Sequence, residues 1–199
     1  MERDLEIRCR CGAVSGTAHF VSPSTANHAL CYCHDCRAFC HWLGREDLLD
    51  AQGGVDIVQI ARARFTIERG LSELRLVRLT PKGLHRFYTA CCKTPMGNTL
   101  PAVPFVGLSR QTFVSVADAD AARTFGAGLV TNAHQAVGGR PAGGLSISGL
   151  AHVAALIARW SFGRLGAPSP LFDAGGRASV EAQVLTGEER EALRRHPRA

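Results

Sequence analysis

The sequence predicts a mainly β protein with a C-terminal helical extension, and three observations lead there. The first 116 residues break into short alternating runs separated by Gly and Pro turns. The best helical pattern lies far downstream, in residues 146–163. The 8 cysteines fall into three tight groups, where a fold of short strands needs ties. At 199 residues, with 46% hydrophobic and 20% charged residues, the chain suits one domain with an appendage and argues against wholesale disorder. No run of about 20 apolar residues marks a spanning helix. The N-terminus, MERDLEIR, lacks the apolar stretch of a secretory signal, so a cytoplasmic location is expected. Disulfides are rare there, which directs the cysteines toward metal binding or thiol chemistry.

Taken in order, residues 1–21 alternate and end in AVSGTAHF, a strand leaving a Cys-rich turn. Residues 31–44, CYCHDCRAFCHWLG, hold the densest cluster. Gly53 and Gly54 punctuate the chain before two apolar runs, VDIVQI and ARFTI. In SELRLVRL, Leu74 and Leu76 alternate with Glu73 and Arg75 as in a half-buried strand. A turn at Pro81, Lys82 and Gly83 leads to LHRFYTACCKTP, and PFVGL and TFVSV supply two further strand candidates. These residues, 1–116, form the expected core domain, with little room for long helices.

Residues 117–199 change character. An Ala/Gly-rich connection carries a short helix around Asp118–Phe125, and an apolar helix follows at about 148–164, with Ser148 as its N-cap. Leu150, Val153, Ala154, Ile157 and Ser161 form one stripe. Leu156, Trp160 and Phe162 extend the apolar surface well beyond it, so the helix is expected to be buried between protein surfaces. Thr186 and Glu189 have capping-box spacing and start a charged tail expected to pack on the core. An apolar helix outside the core also makes a homodimer a candidate arrangement.

The net charge is +6. Its densest stretch runs Arg62, Arg64, Arg69, Arg75, Arg78, Lys82 and Arg86, interleaved with apolar residues at strand spacing. That pattern favours a solvated sheet face, its arginines paired with Asp56, Glu68 and Glu73, over a nucleic-acid surface. An anionic small molecule is the second reading. Neither nucleic acid nor membrane is an expected partner.

The cysteine groups carry the chemistry. They are Cys9 with Cys11; Cys31, Cys33 and Cys36, with Cys40 just beyond; and Cys91 with Cys92. A pair of thiolates on a tight turn presents both sulfurs to one point, and zinc takes sulfur in a tetrahedral set. The economical arrangement has the first and last groups closing a structural zinc site while the middle group forms a second. The middle group has three readings. It is an open three-cysteine site, a closed knot completed by Cys40, His34 or His41, or a redox dithiol. The last lacks the strand–helix context that C-x-x-C redox motifs need.

These motifs resemble those of the glutathione-dependent formaldehyde-activating enzymes and their centromere-protein-V relatives. The resemblance rests on CRCGAVSG at 9–16, CYCHDCR at 31–37, FTIERG at 65–70 and RFYTACCKT at 86–94, in the family's order and near its spacing. It implies a beta-tent fold of small antiparallel sheets around a structural zinc. It also implies a catalytic zinc on Cys31, Cys33 and Cys36, where glutathione and formaldehyde combine into S-hydroxymethylglutathione, a carbon–sulfur lyase type of reaction. The third motif departs from the family's Arg-x-Phe-Cys-x-x-Cys-Gly-Thr. Thr89 stands at the first Cys and Lys93 at the Gly, which removes easy access to positive φ. Cys91 is then a candidate fourth ligand beside Cys9, Cys11 and Cys92; a water-completed site or a metal-free turn are the alternatives.

The expected function is a zinc-dependent thiol/aldehyde adduct enzyme acting on a small thiol such as glutathione. His34, Asp35 and His41 are candidates for moving the proton. The competing class is a zinc-stabilised binding module in which every metal is structural. The two differ in whether Cys40 or a histidine fills the fourth position on the middle group.

Overall fold

The computed structural model describes residues 1–173 and 175–195. In chain order the described elements are β1 (Arg3–Arg8), β2 (Ser15–Val21), β3 (Asn27–Cys31), α1 (His34–Leu43), β4 (Val55–Ala61), β5 (Phe65–Arg69), β6 (Leu74–Arg78), β7 (His85–Thr89), β8 (Pro95–Thr99) and β9 (Phe105–Ser109). They continue with α2 (Ala121–Phe125), β10 (Leu129–Thr131), α3 (Ile147–Phe162), β11 (Ala182–Val184) and α4 (Gly187–Arg195). The fold is mainly β. Strands β1, β2 and β5 form a three-stranded antiparallel sheet, and an eight-stranded mixed sheet runs β10-β3-β4-β9-β8-β7-β6-β11.

Alternation along the strands sends side chains to both faces of the large sheet. One face is buried with the small sheet: Leu76, Phe87, Val58, Ile60 and Leu108 share a core with Leu5, Ile7 and Ala18. Their neighbours Val77 and Tyr88 turn the other way, onto Phe39 and Leu43 of α1. The large sheet is therefore covered on both faces, and α1 lies on the face that carries the chemistry. Truncating a fully buried ring such as Phe87 to Ala costs about 3–5 kcal/mol.

Several expectations are corrected. Thr112–Val116 forms no strand; its backbone turns, with Thr112 ending a 3-10 segment and Val116 N–H donating to the Phe113 carbonyl. The ten-residue α1 was not expected, because its cysteines and histidines hide a helical period. The outer strands β10 and β11 belong to the segment after residue 116. Each pairs in parallel with a strand of the core, β3 and β6 respectively.

The short helix near Asp118–Phe125 forms, and so does the capping box, with Glu189 N–H donating to Thr186 Oγ1 and Thr186 N–H to Glu189. Helix α3 forms too, but its N-cap is Ser146 rather than Ser148. Only Leu156 and Trp160 are buried in it, Trp160 standing 5.8 Å from the ring of Phe105. Ile147 and Phe162 are each 89% exposed, so α3 is not enclosed between surfaces. A helix apolar on every side does not encode which edge it docks. Among the described residues no helix is long and apolar enough to cross a membrane.

The arginine-rich stretch divides: Arg69, Arg75 and Lys82 are exposed as expected, but among the described residues no ion pair joins the stretch to Asp56, Glu68 or Glu73. Arg62 and Arg86 are buried, Arg62 donating to the carbonyls of Leu100 and Pro101. Asp56 pairs with His28, and Glu68 accepts from Thr17.

Candidate metal centres

Two groups of thiols converge, and both were marked by the sequence. Cys9, Cys11, Cys91 and Cys92 form one, Cys31, Cys33 and Cys36 the other, and within each all sulfurs lie within 4.8 Å of one another. Every cysteine is a free thiol. Both groups are close enough to hold a metal ion.

The four-thiol group joins two turns. Cys9 and Cys11 stand between β1 and β2 in the small sheet, Cys91 and Cys92 between β7 and β8 in the large one. The first turn is closed by Gly12 N–H on the Cys9 carbonyl at 3.0 Å, with Gly12 at φ 79°. Val14 N–H donates to Cys9 Sγ at 3.3 Å. In the second turn Lys93 takes φ 54° without glycine's freedom. Lys93 N–H donates to the Thr89 carbonyl at 3.0 Å, and its ammonium lies 5.3 Å from the Tyr88 ring centre. Thr89 Oγ1 lies 3.4 Å from Cys92 Sγ, so it fastens the turn from where the sequence motif lacks a cysteine. Cys91 swings into the group instead, 3.4 Å from Cys11 and 3.9 Å from Cys9.

These separations test the fit to a metal. Four sulfurs about 2.3 Å from one zinc in a tetrahedron are about 3.8 Å apart. The Cys9–Cys11 and Cys91–Cys92 pairs measure 3.6 and 3.8 Å. The donor set is complete without water. Burial raises the Cys9 thiol, and desolvation together with the facing Cys11, Cys92 and Cys9 sulfurs takes Cys91, itself exposed, up to about 12. Burial also opposes ionisation of Cys92, but hydrogen bonds from Thr89, Thr94 and Cys11 outweigh it and bring that thiol to about 5.

The three-thiol group sits where β3 runs into α1. Cys33 is the N-cap, and its sulfur accepts from Cys36 N–H at 3.4 Å. The positive end of the helix thus faces the sulfurs. Hydrogen bonds from Cys33 and Cys36 drive the Cys31 thiol far below its ordinary range. Cys33 and Cys36 are raised, chiefly by their contact with Cys31.

Cys40 is not in this group. It lies one turn further along α1, 1% exposed, packed with Cys36, Val55 and Ile57. Burial pushes its thiol up to about 12, so it is neutral. His41 is turned to Glu46 at 3.1 Å. The His34 ring nitrogen Nδ1 accepts from Arg37 at 3.0 Å, which leaves Nε2 as the protonated nitrogen. Asp35 is exposed in the first turn of α1, where a carboxylate favours the helix.

Residues from beyond 116 also reach this group, and sequence reasoning missed them. After β10 the chain passes through Asn132 at φ 55°, whose amide donates to Cys31 Sγ at 3.6 Å. Gln135 accepts from His34 N–H at 2.9 Å, and its carbonyl accepts from Arg37 at 3.3 Å. Asn is among the residues that tolerate the left-handed region, the one local signal that Asn132 carries. From the sheet, Arg86 reaches within 3.9 Å of Cys36 Sγ.

Comparison with known proteins adds a family but no activity. Residues 1–182 match the model of a family of unknown function, DUF6151. No curated protein matches the chain. A crystal structure of a Rhodobacter sphaeroides protein is similar over 58% of this chain and 94% of that one, at 16% identity and a TM-score of 0.41.

Proposed function

We propose that this chain, which belongs to the family of unknown function DUF6151, is a zinc protein that handles a small thiol at an open metal site. Cys9, Cys11, Cys91 and Cys92 hold a structural ion that ties the two sheets in a beta-tent arrangement. Cys31, Cys33 and Cys36 hold a second ion. The reaction is of the carbon–sulfur lyase type, the addition of a thiol to an aldehyde and its reversal, as the sequence resemblance implies. One observation carries the reading: the sulfurs that converge in the second group are those of Cys31, Cys33 and Cys36, while the Cys40 thiol, buried against Cys36, Val55 and Ile57, is not among them and His41 faces Glu46.

A zinc ion on three thiolates would supply a positive centre able to lower the pKa of an incoming thiol. The chain's own residues do the rest. The start of α1 and the Asn132 amide hold the ligand sulfurs in place and favour their ionised form. In the adduct reaction the carbon–sulfur bond forms, the thiol proton ends on the carbonyl oxygen, and nothing is oxidised. His34, with Nδ1 accepting from Arg37, carries an Nε2–H that can donate a hydrogen bond to that oxygen as negative charge develops on it.

The test is exchange of labelled formaldehyde between its free form and its thiol adduct, followed by NMR with the zinc-loaded chain. Exchange is expected to accelerate, and Cys31→Ala, Cys33→Ala and Cys36→Ala each to abolish the acceleration. Acceleration that survives all three substitutions would sink the assignment.

A further inference from the structure

Beside the three-thiol group a narrow cleft opens between α1 and the large sheet, lined among others by Cys36, Cys40, Arg86, Asn98, Gly107 and Ser109. Gly107, Asn98 and Arg86 stand in one register row across β9, β8 and β7. Ile57 and Asn98 pack directly over Gly107, which leaves no room for a side chain there. A Cβ there would come within 2.8 Å of Ile57 Cγ2 and 3.1 Å of Asn98 Oδ1.

Arg86 is 2% exposed, yet among the described residues no carboxylate pairs with it. Its guanidinium meets only the Cys36 sulfur, at 3.9 Å, and the face of Phe39, at 5.4 Å. Burying a charge without a matching acceptor is costly. The Asn98 side chain, half-buried in the same row, makes no hydrogen bond to another described residue. The Ser109 hydroxyl is already taken by Gln111. A planar fork of donors and a free amide therefore border one cleft in which, among the described residues, the Cys36 sulfur is the one hydrogen-bond acceptor at the guanidinium, and a carboxylate suits both donors.

We propose that this cleft receives the carboxylate of a short thiol acid, held by Arg86 and Asn98, while the ligand's sulfur enters the open position on Cys31, Cys33 and Cys36. The inference rests on the open-site reading above and narrows its substrate. With the guanidinium 3.9 Å from Cys36 Sγ, acid and sulfur must be close in the ligand, separated by one or two carbons as in mercaptoacetate. Glutathione fits poorly, since peptide bonds separate its thiol from both carboxylates.

The test uses the full chain loaded with cobalt(II), whose absorption reports thiol entry. It is titrated with mercaptoacetate, its neutral amide and glutathione. Mercaptoacetate is expected to bind at least about tenfold more tightly than either. Asn98→Asp, which sets a carboxylate against the ligand's, is expected to erase that preference while neutral-amide binding stays. Arg86→Lys, which keeps the charge and loses the fork, is expected to reduce it. Equal binding of acid and amide would overturn the carboxylate site and leave the open metal position standing, with Arg86 a counter-charge for the thiolates. If none of the three thiols changes the spectrum, the open-site reading fails and this inference with it.

Discussion

The two thiol groups use one residue type and differ in what surrounds it. The four-thiol group is built from two turns on different sheets, and its sulfurs already stand near the spacing of a tetrahedron. Local contacts fix its two turns: left-handed Gly12 and Lys93, the Val14 N–H on Cys9, and Thr89 and Thr94 against Cys92, with Cys11 and Cys91 exposed. The three-thiol group is built from one strand end and one helix start, so its contribution to joining distant parts of the chain is small. Its surroundings are chemical instead: a helix N-terminus, a buried arginine and an amide brought in from beyond residue 116. A closed donor set suits stability, and an incomplete one beside a cleft suits binding.

The largest expected effect separates the groups by stability. Metal binding by structural thiol sites contributes on the order of 10 kcal/mol in small zinc domains. Cys9→Ala and Cys92→Ala are therefore expected to unfold the chain or lower its melting temperature drastically. Cys36→Ala should leave it folded and remove one of two bound metal ions. Thermal scans with metal analysis decide this, and equal destabilisation by all three substitutions would erase the distinction. Chelation should show the same order, the three-thiol metal leaving first without unfolding and the four-thiol metal leaving together with the fold, as read by circular dichroism.

A smaller effect concerns protons. The lowered Cys31 and the raised Cys33 and Cys36 predict one thiolate and two thiols in the metal-free group near neutrality. Metal binding there must expel two protons, so affinity rises with pH, by about a hundredfold per unit near neutrality. Three unperturbed thiols would give about a thousandfold. Calorimetry in buffers of different ionisation enthalpy counts the protons directly. The smallest effect belongs to Asn132→Gly, which keeps the left-handed backbone and removes the donor to Cys31. It should weaken metal binding at that site a few-fold and leave the melting temperature unchanged.

The sequence showed the two sites more clearly than the elements that hold them. Grouping the first and last cysteines is the economical arrangement, and Cys91 enters it as a candidate through the family resemblance, with a water-completed site and a metal-free turn as alternatives; the fold brings Cys91 within 3.4 Å of Cys11. Strands such as Leu74–Arg78 and Val55–Ala61 were legible because alternation records burial on a sheet. The strand Pro95–Thr99 was not, since PMGNT has no alternation to read. The three-residue edge strands Leu129–Thr131 and Ala182–Val184 are too short to show a period. Arg86 and Asn132 reach their sulfurs across 50 and 101 positions, and contacts that distant leave no local signature.

The most direct test of an open second site is zinc X-ray absorption on the chain loaded with two equivalents of metal, recorded before and after adding a small thiol. A site held by Cys31, Cys33 and Cys36 alone requires the average number of sulfur ligands per zinc to rise when the thiol arrives. A spectrum that already shows four sulfurs around every zinc, and does not change, would contradict it.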